Sequence, residues 1–260
     1  MPLNVPGILA PFQLLWNPRI ILPHVIVQDV RHIDFAALKR AGYRGAVFDK
    51  DNCLTIPYED RLVDELSESW KQCKETFGEG NVLIVSNSAG TKMDAGEIQA
   101  ESVSHHLAVP VLRHSTPKPG YACISSIRAY FSSLRRPIRD DELIVVGDRV
   151  FTDVVLAIRM SKLVVRRNVH SDKVNSATLS NERRQSLGGP LSILTIGVFK
   201  KESMVMRFVE KQLMGAVERW TEGREDISDW SRRFVKEPPR IEPSKPPSIV
   251  SRLLSRFSRA

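Results

Sequence analysis

The sequence predicts an α/β fold, a parallel sheet with helices on both faces in a three-layer α/β/α arrangement. Three observations lead there. Short apolar runs of strand length recur at 46–48, 81–85, 109–112, 142–146 and 162–165, and the first four run into polar or turn-forming residues. The segments between them carry helical apolar spacing. Strands alternating with helices of this length imply a parallel sheet covered on both sides. Right-handed crossovers then bring every strand's carboxyl end to one edge, where ligands bind in such sheets.

The chain opens with two apolar runs, 7–16 and 20–27, separated by Asn17-Pro18-Arg19 and interrupted by Pro11 and Pro23. Neither approaches the ~20 residues that cross a bilayer. No Arg-rich, Ser-rich presequence is visible, and the positive start of a secretory signal is missing. Residues 1–32 read as an apolar arm with two readings, packing over the core or lying in a membrane interface with Trp16 at headgroup level. Residues 33–200 read as the core. Asp34 and Gly42 bracket a short helix. The strand 46–48 follows and ends at Asp49. Leu62, Val63, Leu66 and Trp70 keep helical spacing through Phe77, where Gly78 and Gly80 stop the helix. The strand 81–85 runs into Ser86-Asn87-Ser88-Ala89-Gly90, and a helix covers 93–107. After the short strand 109–112, Pro117-Lys118-Pro119-Gly120 introduces a helix through Phe131. The strand 142–146 ends in Gly147-Asp148-Arg149, a helix covers 150–160, and 162–165 makes the fifth strand.

The organising stretch is Ala46-Val47-Phe48-Asp49-Lys50-Asp51-Asn52. Asp49 and Asp51 share a face if extension continues past Asp49. Two carboxylates so close repel unless a divalent cation or a shared proton relieves them. Alone, such a pair is equally a solvated turn. Four strand ends, however, deliver polar residues in order: Asp49 and Asp51, Ser86 and Asn87, His114 to Lys118, then Asp148 with Asp153. A Ser/Asn loop before a helix offers phosphate donors, a lysine adds fixed positive charge, and a third carboxylate completes an oxygen cage.

Bulk properties agree with an anionic partner. The 260 residues carry a formal net charge of +8, which suits phosphate, nucleic acid or a membrane surface. The three cysteines, Cys53, Cys73 and Cys123, form no Cys-x-x-Cys pair, which points to a reducing compartment without structural zinc. A Cys-x5-Arg phosphatase loop is excluded, since Glu59, Glu79 and Ala129 stand six residues after them.

The ordered set resembles the haloacid dehalogenase (HAD) superfamily of phosphatases, whose Rossmann-like sheet carries these four motifs. They match at Asp49/Asp51, Ser86, Lys118 and Asp148/Asp153, with Cys53 standing where Thr or Val is usual. DKDNCLT, VSNSAG, KP and VGDRVFTDV resemble the capless subclass IIIA group that contains the mitochondrial phosphatidylglycerophosphate phosphatases of fungi and plants. The resemblance implies that Asp49 attacks phosphorus and that Asp51 acts as acid and then base. It implies Mg²⁺ held by the Asp49 carboxylate, the Asp51 backbone carbonyl and Asp148. Ser86, Asn87 and Lys118 would hold the phosphoryl group, with Asp153 orienting Lys118 or a metal water. Arg149 would reach a lipid phosphodiester or make a surface ion pair. It further implies a phospholipid substrate at an anionic membrane surface, peripheral on the matrix side of the mitochondrial inner membrane. A nucleic-acid partner is not expected.

In the C-terminal third, 166–189 reads as a long polar loop. Residues 201–235 read as an amphipathic helical region, with Val205, Phe208, Val209, Leu213, Ala216, Val217 and Trp220 on one face. Residues 236–260 read as a Pro-rich linker and a basic amphipathic tail. Two rival functions stand beside the lipid phosphatase. One is a phosphatase of the same superfamily acting on a nucleic-acid end or another soluble phosphomonoester. The other is a catalytically silent membrane adaptor. The apolar arm argues against the nucleic-acid reading, and the intact Asp49, Asp51, Lys118 and Asp148 argue against the silent one.

Overall fold

A five-stranded parallel sheet runs through the computed structural model. The structure describes residues 17–168, 188–197, 199–200, 204–220, 230 and 232–236. The strands are β1 (Val25–Val27), β2 (Gly45–Phe48), β3 (Val82–Ile84), β4 (Leu143–Gly147) and β5 (Leu191–Thr195), in spatial order β1-β5-β4-β2-β3. The helices are α1 (Phe35–Arg40), α2 (Ser67–Phe77), α3 (Ile98–Leu107), α4 (Tyr121–Ser133), α5 (Val155–Asn168) and α6 (Met204–Trp220). The expected parallel α/β architecture is present. Between β2 and β3 there is room only for a loop, a single 3₁₀ turn and α2, so no large cap is inserted there. Among the described residues, no helix is long and apolar enough to cross a membrane.

Strand alternation divides the core. Ala46, Phe48, Ile144 and Val146 face one layer, which α1, α2 and α3 cover with Phe35, Leu38, Trp70, Cys73 and Val103. Val47, Val145 and Leu83 face the other, covered by Cys123, Ile124, Ile127 and Phe131 of α4 and Leu156, Ala157 and Met160 of α5. The central strands are buried on both faces, as parallel strands are. Cys53 lies buried in the first layer, and burial pushes its thiol well up, so it behaves there as a small apolar side chain.

Three expectations need correction. Residues 162–165 do not form the fifth strand; they continue α5, because no Gly or Pro interrupts the chain from Val155 to Asn168. The strand beside β4 is instead β5, with Ile144 opposite Leu191 and Val146 opposite Ile193. Beyond it the sheet takes an edge strand, β1, from the segment read as an arm. The run at 109–112 makes only an isolated bridge, Val111 to Ile84. Ile84 N–H donates to Pro110 O and Leu112 N–H to Ile84 O, but Pro110 has no N–H to extend the ladder.

The apolar stripe of α6 is not all core. Leu213 and Val217 pack inward beside Ile20, Ile21 and Phe151, while Phe208, Val209 and Ala216 are exposed. Polar contacts set that rotation: Arg207 bonds Asp148, and the buried Glu210 accepts from Phe151 N–H at 3.3 Å. The reading of 236–260 as linker and tail lies outside the described residues except at Lys236. There the chain is tied to the core, Lys236 N–H donating to His32 O and Nζ to Gln72 Oε1, both at 2.8 Å. The whole first apolar run, 7–16 with Trp16, also lies outside them.

Candidate active site

The order of strands reverses between β2 and β4, the position at which a parallel sheet leaves a crevice at its carboxyl edge. Asp49 directly follows β2, and its N–H donates to Val146 O of β4 at 2.9 Å. Asp148 directly follows β4. The five residues after Arg149 do not enter an ordinary α-helix. Val150–Val154 form a π turn that carries Asp153 back over the strand end. Gly147 makes this possible, since a Cβ there would stand 2.3 Å from Asp153 Cγ. Asp153 Oδ2 is then held by Arg149 N–H at 3.2 Å and Thr152 Oγ1 at 3.1 Å.

Lys118 joins the two strand ends. It is only 2% exposed, and its Nζ donates to Asp49 Oδ1 and Asp153 Oδ1, each at 2.7 Å. Burial alone would lower the Lys118 pKa; the carboxylates of Asp153 and Asp49 outweigh it, so the net shift is upward and the ammonium is held charged. The loop bearing Lys118 is fixed from two sides. Asn87 Oδ1 accepts from Lys118 N–H at 2.7 Å, and Asn87 Nδ2 donates to Lys118 O at 3.3 Å. The His114 ring lies between Ser86 O at 2.9 Å and Thr116 O at 2.8 Å. Asn87 therefore braces the lysine.

Asp51 stands apart from that cluster. Asn52 turns the chain with φ of 57°, and Asp51 is held by Ser88 Oγ on Oδ2 at 3.1 Å and Tyr58 N–H on Oδ1 at 3.2 Å. Lys50, fully buried, also reaches Asp51 Oδ1 at 2.7 Å while donating to Glu59 O at 2.9 Å. Ser86 Oγ accepts from Ser88 N–H at 3.1 Å and lies 2.9 Å from Ser88 Oγ. Ser86, Ser88 and Asp51 thus form one chain of polar groups.

A metal is a good fit to the remaining donors. Oxygens of Asp49, Asp148 and Asp153 lie within 4.8 Å of one another, with no nitrogen or sulfur ligand in the group. Burial, then the neighbouring charges of Asp49 and Asp153, push Asp148 up to about 7, against the opposing pull of Arg207. Burial likewise raises Asp49, despite Lys118. Three carboxylates facing two cations leave the cluster short of positive charge, and an all-oxygen set suits a hard divalent ion.

The cluster brings together Asp49, Lys118, Asp148 and Asp153, with Ser86, Asn87 and Asp51 on the adjoining loops. Arg149 contributes its backbone N–H, and its side chain is half-buried at the rim. Sequence reasoning missed Arg207, Lys50 and Ser88. Ser88 and Lys50 lie within motifs that the sequence singled out, so adjacency was their only signal. Arg207 had none, because α6 approaches the site only in three dimensions.

The profile of the family described as mitochondrial PGP phosphatase matches residues 5–170. The chain is 38% identical over 165 residues to phosphatidylglycerophosphate phosphatase 1, chloroplastic/mitochondrial, of Arabidopsis thaliana, covering 63% of this chain and 45% of that protein. It is 39% identical over 150 residues to the chloroplastic phosphatidylglycerophosphate phosphatase 1 of Chlamydomonas reinhardtii, covering 57% and 53%. To the mitochondrial phosphatidylglycerophosphatase of Saccharomyces cerevisiae it is 34% identical over 155 residues, covering 60% and 82%. The chain spans about half the length of the plant and algal relatives. No solved structure matches it.

Proposed function

Since the chain belongs to the mitochondrial PGP phosphatase family, we propose that it removes the terminal phosphate of phosphatidylglycerophosphate, leaving phosphatidylglycerol. The observation that carries the reading is Lys118, buried and bonded at once to Asp49 and Asp153 beside Asp148. Such a cluster gathers a nucleophilic carboxylate, a fixed cation and a metal cage at one strand edge, which phosphoryl transfer requires.

In this mechanism Asp49 attacks phosphorus, and the bond from phosphorus to the glycerol oxygen breaks. Lys118 fixes Asp49 through Oδ1, leaving the second carboxylate oxygen outside that contact. Asp51 gives its proton to the departing glycerol oxygen, help worth about 10²–10⁴-fold for a poor leaving group. It then takes a proton from water, which attacks phosphorus, frees phosphate and restores the Asp49 carboxylate. Ser86 and Lys118 hold phosphoryl oxygens, and Asn87 keeps the Lys118 loop in place. Asp49 and Asp148, with the Asp51 carbonyl, would hold Mg²⁺, and Asp153 orients Lys118. The ion supplies charge stabilisation to the phosphoryl group. Arg149 stands at the rim, open to a second lipid phosphate.

The setting follows from the lipid. The substrate lies in a bilayer, and we place the reaction peripherally on the matrix side of the mitochondrial inner membrane. The test is phosphate release by purified protein from phosphatidylglycerophosphate, phosphatidate and a 3′-phosphorylated oligonucleotide in parallel. Release from the first alone is expected with Mg²⁺ and is lost in Asp49→Asn. Release from the oligonucleotide instead overturns the reading.

A further inference from the structure

The eight large apolar side chains that the described residues expose all stand on segments at the carboxyl edge of the sheet. Tyr58 follows β2, and its N–H donates to Asp51. Met93 and Ile98, the latter 72% exposed, lie in the connection after β3 that begins with Ser86. Tyr121 opens α4, three residues after Lys118. Ile196 directly follows β5. Met206, Phe208 and Val209 flank Arg207, which touches Asp148. Isolated exposed apolar groups are ordinary, and scattering would place some at the amino edge. Here five separate connections each bring one or more to the ring around one cluster.

Charge follows the same ring. Lys92 and Lys211 are exposed beside Met93 and on α6, and Lys200 Nζ lies over the Tyr58 ring at 5.8 Å. The rim's acidic groups are in part neutralised: Glu97 pairs with Arg113, Asp60 lies 3.8 Å from Lys50, and Asp94 caps the start of α3. Glu59, Asp64, Glu65 and Glu68 before and at the start of α2, and Glu101 on α3 stay exposed, so the lysines are interleaved with carboxylates rather than alone.

We propose that this rim is a membrane-docking surface that seats the catalytic edge against an anionic bilayer. An apolar ring with interleaved lysines matches the boundary between acyl chains and anionic headgroups, the aromatic and aliphatic tips entering while the ammonium groups meet phosphate. The commitment to a bilayer rests on the phosphatidylglycerophosphate reading, because a lipid headgroup has to reach Asp49 without leaving its membrane. Docking through the rim puts the crevice between β2 and β4 face down on that headgroup plane.

The test uses the full chain. Co-sedimentation with phosphatidylcholine vesicles containing cardiolipin is measured for wild type, Phe208→Glu, Ile98→Glu, Lys92→Glu and, at the amino edge, Arg135→Glu. The three rim variants are expected to weaken binding by roughly tenfold or more, with turnover of a soluble phosphomonoester within about twofold of wild type, while Arg135→Glu binds nearly as wild type. A second readout avoids any folding defect. The three native cysteines are buried, so an environment-sensitive fluorophore on Met93→Cys labels that site alone. It should shift to the blue on cardiolipin vesicles, and the same label on Arg135→Cys should not. Equal loss for Arg135→Glu and Lys92→Glu, or no shift at Met93→Cys, overturns the surface. A changed oligomeric state in Phe208→Glu with unchanged vesicle binding also overturns it and assigns the patch to a second copy. Rim-dependent binding without phosphate release from phosphatidylglycerophosphate leaves the surface standing and removes the substrate reading.

Discussion

Arg207 of α6 donates through Nη2 to the Asp148 carboxylate and through Nη1 to Asp148 O at 3.3 Å. A helix from the C-terminal third therefore supplies one of the two cations of a site whose other members lie between Asp49 and Asp153. The contact is mostly buried, with side chains 14% and 3% exposed. Removing one partner of such a pair leaves an uncompensated charge. Arg207→Gln is expected to lose about 2–4 kcal/mol in chelator. Mg²⁺, meeting the same carboxylate, should recover most of it, so melting curves with and without Mg²⁺ should show a larger metal shift in the variant than in wild type.

Lys118 makes the converse point. Lys118→Met leaves Asp49 and Asp153 facing each other in a buried site, and a loss of about 3–5 kcal/mol is expected. Adding Asp153→Asn removes one of those charges and should restore part of the stability but none of the turnover. Denaturant unfolding and phosphate release, measured on the same samples, separate the two.

Metal binding should register in stability as well as in rate. A divalent ion that binds only the folded chain stabilises it by about 2.7 kcal/mol at a hundred times its dissociation constant. Asp148→Asn should abolish most of that increment while leaving the melting temperature in chelator nearly unchanged, because relief of a buried charge repelled by Asp49 and Asp153 offsets the lost ion pair with Arg207. An undiminished Mg²⁺ shift in this variant contradicts the cage.

Asp51→Asn tests proton transfer. The variant keeps the backbone carbonyl, its amide oxygen can still accept from Tyr58 N–H, and its amide nitrogen can donate to Ser88 Oγ. Turnover of the lipid is expected to fall about 10²–10⁴-fold, with much less effect on an activated aryl phosphate, whose leaving group needs no proton. Equal losses on both substrates contradict the assigned acid.

His24 gives the edge strand a pH dependence. Its Nδ1 accepts from Ser192 N–H at 3.0 Å, tying the start of β1 to β5, and burial lowers its pKa to about 4. Between the ordinary value near 6.5 and about 4, the unfolded chain takes up a proton that the folded chain refuses. Stability contributed here is therefore full above pH 6.5 and falls as pH drops through that window, by up to about 3 kcal/mol. His24→Asn keeps an acceptor without a titrating ring, and its melting temperature should fall less between pH 7 and pH 4.5.

Much of this was determined by sequence alone. The runs 46–48 and 143–146 are apolar on both faces and lead into carboxylates, Asp49 directly and Asp148 after Gly147, so local composition fixes them as central strands with those groups at their ends. The order Asp49, Ser86, Lys118, Asp148 along the chain then implies one edge. Only the tertiary structure decided the rest. Residues 162–165 have strand-like composition, but an uninterrupted helix preceding them carries on through, and a helix once nucleated propagates cheaply. β1 and β5 are short apolar runs that become strands only because each finds an edge to pair with. Arg207 meets Asp148 across 59 positions, and the exposed face of α6 is set by that contact rather than by its own periodicity. Such relations depend on long-range pairing and on which charge a folded neighbour leaves unmet, neither of which is written in any local window of residues.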